Sequence, residues 1–84
     1  MEAYMIPITS PDTLGKVLRS YRKKLGLSQI EAGSKFNLPQ KTVSNIESGL
    51  PGVQLNSIFR YMSALGLEMH LELRDAPAKD EALW

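Results

Sequence analysis

The sequence predicts a small, mainly helical single domain of four to five helices that ends in a short strand. Four segments between residues 10 and 66 place apolar residues at the three- and four-residue spacing of an amphipathic helix. Gly or Asn follows each segment, where a helix would end. Residues 67–74 instead alternate apolar and polar side chains, as a half-buried strand does. A chain of 84 residues accommodates only one hydrophobic core.

The first predicted helix follows an N-terminal arm, residues 1–9. Ser10 suits the N-cap, Pro11 suits the first helical position, and Asp12 favours the positive end of the helix dipole. Gly26 ends the helix. The predicted inward stripe consists of Leu14, Val17, Leu18, Tyr21 and Leu25.

The second and third predicted helices are short and lie close together in the sequence. Ser28 and Glu31 have the spacing of a capping box, and the second helix ends near Phe36. Asn37 tolerates the left-handed conformation that a tight turn requires. The third helix opens at Pro39 and stops at Gly49, with Val43 and Ile46 facing inward, and Gly33 is placed where two helices would cross closely.

The fourth predicted helix precedes Gly66, and its inward face is Leu55, Ile58, Phe59, Met62 and Leu65. The domain therefore spans residues 10–66 and is followed by a strand, residues 67–74. An isolated strand leaves its edge unpaired, so we expect it to pair with the same strand of a second copy. The predicted dimer interface is Leu67, Met69, Leu71 and Leu73. Pairing with residues 4–8 of the same chain is the alternative.

Two short helices joined by a turn form the unit that presents a helix to the major groove of DNA. The outward side of the third helix carries side chains that suit base edges. Gln and Asn pair with adenine, Lys favours guanine, and Ser is permissive. The predicted DNA-binding residues are Ser28, Gln29, Gln40, Lys41, Thr42, Ser44 and Asn45. Gln29 is expected to donate to a phosphate. The alternative interpretation of all these residues is a solvated helix surface.

The segments 26–29, 42–49 and 64–66 together resemble the Cro/C1-type (XRE) helix-turn-helix domain, over residues 14–67. The chain departs from that family's usual pattern at Ala32 and Gly33, where Leu-Ala is usual, and at Asn37, where Gly is usual. A narrower resemblance is to HipB-type antitoxins. It implies a dimeric autorepressor of a palindromic operator that also holds a HipA-type serine/threonine kinase toxin inactive.

The flexible C-terminal tail, residues 75–84, ends in Trp84. Because aromatic side chains are enriched at binding hot spots, Trp84 is the predicted toxin anchor; an incidental chain end is the alternative. His70 lies on the polar side of the predicted strand and is expected to be an ordinary surface or interface residue, with a pH switch as the alternative.

Charge and composition narrow the function classes. Seven of the ten basic residues precede Leu55, whereas five of the nine acidic residues follow it. Four of the basic residues, Arg19, Arg22, Lys23 and Lys24, form either a phosphate-binding patch or a solvated helix end. No cysteine is present, and one histidine builds no metal or catalytic set. We expect no enzyme, metal or cofactor.

The absence of a targeting signal or a long apolar run favours a cytoplasmic protein without membrane contact. A stand-alone phage-type repressor without a toxin partner is the alternative to an antitoxin. A protein-interaction module with vestigial DNA binding is a third interpretation.

Overall fold

The computed structural model describes residues 6–74, and within that range its regular secondary structure consists of helices. The four helices are α1 (Pro11–Lys24), α2 (Gln29–Ser34), α3 (Gln40–Glu47) and α4 (Leu55–Ala64). The prediction of a mainly helical domain is confirmed. Four to five helices were expected, and residues 6–74 contain four. None of the helices in residues 6–74 is long and apolar enough to cross a membrane.

The helix starts follow the capping residues of the sequence. The Ser10 hydroxyl accepts a hydrogen bond from the Thr13 backbone N–H at 3.1 Å. Ser28 accepts from the Glu31 N–H at 3.0 Å, and the Glu31 carboxylate accepts from the Ser28 N–H at 2.8 Å, so the capping box is complete. Asn37 adopts the predicted left-handed conformation, with φ of 57°.

The core lies where the four helices meet, and α3 is at its centre because it packs against each of the other three. Its buried residues are Leu18, Ala32, Leu38, Val43, Ile46, Tyr61, Met62, Ala64 and Leu65. Two glycines allow the close helix contacts. A Cβ on Gly33 would lie 2.5 Å from the Leu38 carbonyl oxygen, and a Cβ on Gly15 would lie 2.5 Å from the Ile46 carbonyl oxygen.

Parts of the predicted inward faces are exposed. Leu25, Leu55 and Phe59 keep 54%, 60% and 43% of their accessible surface. In α4 the fully buried aromatic residue is Tyr61, and not the neighbouring Phe59 as predicted. The periodic pattern failed here because the Tyr61 hydroxyl has a buried carboxylate partner, Glu47, which hydropathy alone does not reveal.

The segment after α4 forms no strand pairing within residues 6–74. Leu67 is half-buried against the core of its own chain, whereas Leu71 is 91% exposed. His70 is exposed, and its Nε2 lies 2.7 Å from a carboxylate oxygen of Glu68, two residues away. Pairing with a second copy therefore stays a prediction. The alternative of pairing with residues 4–8 falls partly outside the described residues, and Trp84 falls wholly outside them.

Candidate nucleic-acid interface

Helix α3 has one side in the core and one side open to solvent. Val43 and Ile46 anchor it, with 0% and 3% of their surface accessible. Gln40 and Lys41 are exposed on the first turn. The other predicted DNA-contacting residues of this helix are half-buried: Thr42, Ser44 and Asn45. The helix thus offers a short polar surface on a firmly packed support.

A polar groove of about 320 Å³ lies beside α3 and extends this surface. Thr42 and Asn45 line one side of it, while Gln54 and Ser57 line the other, at the start of α4. The two half-buried α3 side chains therefore open onto a solvent-accessible groove. This placement keeps their hydroxyl and amide groups available to a ligand.

The start of α2 is joined to α3 through side chains. The side-chain amide nitrogen of Gln29 donates to a carboxylate oxygen of Glu47 over 3.2 Å. The side-chain amide nitrogen of Gln40 donates in turn to the side-chain carbonyl oxygen of Gln29 over 3.3 Å. Ser28 is exposed, and its hydroxyl oxygen caps α2 by accepting from the Glu31 N–H. The structure therefore brings Gln29 to the same surface as Gln40, with Ser28 next to it in the chain.

Behind this surface lies a buried polar cluster of Arg22, Glu47 and Tyr61 that the sequence analysis missed. The Arg22 Nε and Nη2 atoms donate to the two Glu47 oxygens at 2.6 and 2.9 Å. The third Arg22 nitrogen donates to the Leu27 carbonyl oxygen at 2.8 Å, and the Tyr61 hydroxyl donates to Glu47. Among residues 6–74, every buried side-chain nitrogen and oxygen has a hydrogen-bond partner.

The cluster holds Glu47 in its charged form. Burial by itself raises the pKa of Glu47, but hydrogen bonds from Arg22, Tyr61 and Gln29 outweigh burial, so the pKa lies below its ordinary value. The hydrogen bond to Glu47 raises the pKa of Arg22. Burial, together with the same carboxylate, raises the pKa of Tyr61. Glu47 is therefore a charged acceptor, Arg22 a charged donor and Tyr61 a neutral donor.

The position of Arg22 corrects the predicted basic patch. Arg22 is 7% exposed and belongs to the buried polar cluster, so it does not lie on a phosphate-binding surface. Arg19, Lys23 and Lys24 are exposed, and the Lys24 amine lies 5.5 Å from the centre of the Tyr21 ring. A signal for Arg22 was present, because it follows Leu18 by four residues and so shares the inward face of α1.

The connection between α2 and α3 is held from both ends. The Leu38 N–H donates to the Gly33 carbonyl oxygen at 2.9 Å, which closes the turn over Asn37. The Arg60 guanidinium of α4 donates to the Phe36 carbonyl oxygen from outside the turn. Together with the close approach at Gly33, these contacts fix the angle between the two helices and hence the direction in which Gln40 points.

This geometry agrees with the family comparison. The helix-turn-helix family model matches residues 18–71, which include the buried polar cluster, the turn between α2 and α3, and all of α3. The chain belongs to the Cro/C1-type helix-turn-helix family. It therefore contains a helix-turn-helix DNA-binding domain, and the resemblance noted in the sequence is confirmed.

Solved structures of HipB resemble this helix-turn-helix chain closely. A complex of HipB with a 20mer called O4 superposes with a TM-score of 0.79 at 28% identity, over 83% of this chain and 99% of that one. HipB in a HipA-HipB-O2-O3 complex gives the same values. HipB in an O1-O2 complex gives a TM-score of 0.76 at 30% identity, over 80% of this chain and 97% of that one.

A curated relative is HigA2 of Mycobacterium tuberculosis, which is named as a candidate antitoxin. It is 34% identical over 58 residues, which make up 68% of this chain and 57% of HigA2. The matched relatives of this helix-turn-helix protein are antitoxins and DNA-binding regulators and not enzymes, which confirms the prediction that the chain is not an enzyme.

Proposed function

We propose that this protein is a transcriptional repressor that binds a palindromic operator as a homodimer and serves as the antitoxin of a HipA-type serine/threonine kinase toxin. The observation that carries the proposal is the polar, accessible side of α3, whose opposite side is fixed in the core through Val43 and Ile46. A rigid helix with exposed amide and amine groups has the properties that major-groove recognition requires.

The proposed contacts divide into two kinds. Gln40, Lys41, Ser44 and Asn45 face the bases, with Thr42 at the edge of the groove beside α3. Ser28 and Gln29 face the phosphates, and Gln29 has a second side-chain N–H left to donate to one of them. Arg19 and Lys23 are exposed one turn apart on α1, and we propose that their positive charge attracts the phosphates.

A mobility shift assay with DNA from upstream of the protein's own gene tests the DNA-binding role. We expect a specific complex whose affinity falls steeply with added salt, because phosphate contacts release counterions. Equal binding to unrelated DNA, or an almost salt-independent affinity, would contradict the proposal and leave a protein-interaction module as the better interpretation.

The partnership with a HipA-type kinase is supported by the similarity to HipB in a complex with HipA. The chain covers 99% of that HipB chain, so the similarity extends over nearly the whole of it. HigA2 provides independent support for an antitoxin role, although its name refers to no HipA partner. Operator DNA and a kinase toxin would both place the protein in the cytoplasm.

A co-purification of the full chain with a HipA-type kinase from the same genome tests the toxin partnership. We expect a stable complex in which kinase activity is suppressed. Deletion of residues 82–84, which removes Trp84, is expected to weaken the complex while operator binding stays unchanged. Replacement of Ala82 by Ser is the matched control. DNA binding without kinase binding would instead support a stand-alone repressor.

A further inference from the structure

We infer that Glu47, although buried behind α3, is a positioning residue that makes Gln40 select adenine over guanine. It acts through Gln29, which lies between the two side chains in an unbroken series of hydrogen bonds. The inference rests on the proposed function, namely that Gln40 contacts a base. It goes beyond that function because it assigns the base preference to a residue that touches no DNA.

The first step is the orientation of the Gln29 amide. A charged carboxylate accepts hydrogen bonds and donates none, and the buried ion pair with Arg22 keeps Glu47 charged. Gln29 must therefore turn its NH2 group toward Glu47, at the observed Nε2 to Oε1 distance of 3.2 Å. Its carbonyl oxygen is then left on the side that faces Gln40.

The second step fixes Gln40 in the same way. Since the Gln29 oxygen only accepts, Gln40 must direct an N–H toward it, over the observed 3.3 Å. One N–H of Gln40 is thus occupied, while the second N–H and the carbonyl oxygen stay free. The exposed edge of Gln40 therefore offers one donor and one acceptor.

This edge matches adenine, whose major-groove side presents the N7 acceptor and the N6 amino donor. Guanine presents two acceptors, N7 and O6, so the free Gln40 oxygen would face a carbonyl oxygen there. The opposite orientation of both amides would leave two N–H donors on Gln40 and would suit guanine. The charge on Glu47 excludes that orientation, because Gln29 would then direct its oxygen at a carboxylate.

Three variants separate this positioning role from a structural one. Gln29→Met keeps the side-chain length but breaks the series of hydrogen bonds. Glu47→Gln replaces an obligatory acceptor with an amide that also donates, so both orientations of Gln29 become available. Tyr61→Phe is the matched control, since it removes one hydrogen bond to the Glu47 carboxylate but leaves its charge and the two glutamines in place.

The binding probe is a 20-base-pair duplex, selected by the wild-type protein from a randomised library. The base-pair position at which the Gln40→Ala variant loses its sequence preference marks the base that Gln40 contacts. Duplexes with adenine or guanine at that position are then compared. We expect the adenine-to-guanine affinity ratio to fall about tenfold in Gln29→Met and Glu47→Gln, and to stay unchanged in Tyr61→Phe. A lost phosphate contact of Gln29 lowers both affinities and leaves their ratio unaffected.

An unchanged adenine-to-guanine affinity ratio in the folded Gln29→Met variant or in the folded Glu47→Gln variant would overturn the inference. Should Glu47→Gln fail to fold, Gln29→Met still decides, because the contacts between Arg22 and Glu47 remain in that variant.

Nuclear magnetic resonance of the free, isotope-labelled chain separates this inference from the proposed function. Couplings across hydrogen bonds are expected from the Gln29 Nε2 to the Glu47 Cδ, and from the Gln40 Nε2 to the Gln29 Cδ. Couplings in the opposite direction, from Gln29 Nε2 to Gln40 Cδ, would overturn the inference. So would the absence of both expected couplings in a spectrum that shows the coupling from Arg22 to Glu47. The expected couplings in a protein that binds no duplex would instead refute the proposed function and the base selection, while the amide orientation would stand.

Discussion

At the scale of single residues, Glu47 is the most constrained group of the domain. Four hydrogen bonds reach its two oxygens, from two nitrogens of Arg22, from Gln29 and from Tyr61. A buried charge is tolerated only when it is paired and its remaining hydrogen-bonding capacity is satisfied. Loss of one partner of such a pair costs about 3–5 kcal/mol, so both charges are needed to hold α3 in place.

The first prediction concerns the effect of pH on stability. Folding lowers the pKa of Glu47 below its ordinary value of 4.5, so its contribution is fully present above that value and is lost as the pH falls through the folded pKa. Hydrogen bonds from Ser28 also lower the pKa of Glu31 in the capping box. Glu31→Gln retains a capping box but removes that titration, and so isolates Glu47.

We therefore expect the free energy of unfolding of Glu31→Gln, measured with urea, to decrease as the pH is lowered from about 6 to about 3. The polar surface formed by Gln29 and Gln40 should lose structure together with the core, because the two side chains hydrogen-bond in series to the same carboxylate. A pH-independent unfolding free energy in this variant would contradict the assignment of a charged Glu47.

The second prediction concerns Gln40, whose free amide edge points away from the core. Gln40→Ala should relax the sequence preference at one base step per half-site, at a cost of about 1–3 kcal/mol in discrimination. Selection of binding sites from a random duplex library measures the change. Ser63→Ala, which removes an exposed hydroxyl near the end of α4, should leave the preference intact. Equal losses of affinity for operator and random DNA would show that Gln40 does not contact a base.

At the scale of the elements, helix starts and turns were predictable because they depend on local chemistry. Ser10, Ser28 and Asn37 act within a few residues of their own position, and the structure confirms each role. Tyr61 and Arg22 were not predictable in this way, since their burial depends on Glu47, which is 14 and 25 residues away along the chain. Local periodicity identifies an apolar face, but it does not identify the polar groups that satisfy one another inside it.

The third prediction concerns the crossing of α2 and α3. Gly33→Ala places a methyl group 2.5 Å from the Leu38 carbonyl oxygen and 3.0 Å from Val43 Cγ2, so the two helices must separate. Overpacking of this kind costs about 1–3 kcal/mol, which exceeds the gain of up to about 1 kcal/mol in helix propensity. Thermal unfolding should show a lower midpoint than for the wild type.

Ser34→Ala is the matched control for this prediction, since it raises helix propensity at the exposed neighbouring position without a steric clash. It loses only the exposed hydrogen bond from the Ser34 hydroxyl to the Glu31 carbonyl oxygen. If Gly33→Ala were as stable as Ser34→Ala, the close approach of α2 and α3 would not be limiting.

At the scale of the whole molecule, the described chain exposes two features of different character. One is the polar side of α3 with Ser28 and Gln29, which suits nucleic acid. Exposed apolar side chains are the second feature, and those of α4 and the segment after it are Leu55, Phe59, Met69, Leu71 and Leu73. In the proposed homodimer, we expect some of these apolar side chains to be covered while the polar side of α3 stays free on both copies.

The last prediction tests this arrangement through Leu71, which is 91% exposed in the single chain. Burial of one such side chain in a partner contributes about 1.5–3 kcal/mol to association. Leu71→Ser should therefore shift the protein from dimer toward monomer in sedimentation equilibrium while its helical circular dichroism stays unchanged. Operator affinity should fall when the dimer is lost, because two copies of α3 about 34 Å apart match one turn of the duplex.

The adjacent residue supplies the control, since side chains alternate between the two faces of an extended segment. Glu72→Ser makes the same new side chain on the polar face and should keep both the dimer and the operator affinity. A wild-type protein that sediments as a monomer at micromolar concentration would contradict strand pairing between copies. Equal effects of Leu71→Ser and Glu72→Ser would instead show that residues 67–74 associate without a defined apolar face, which would leave the exposed side chains of α4 as the surface that joins the two copies.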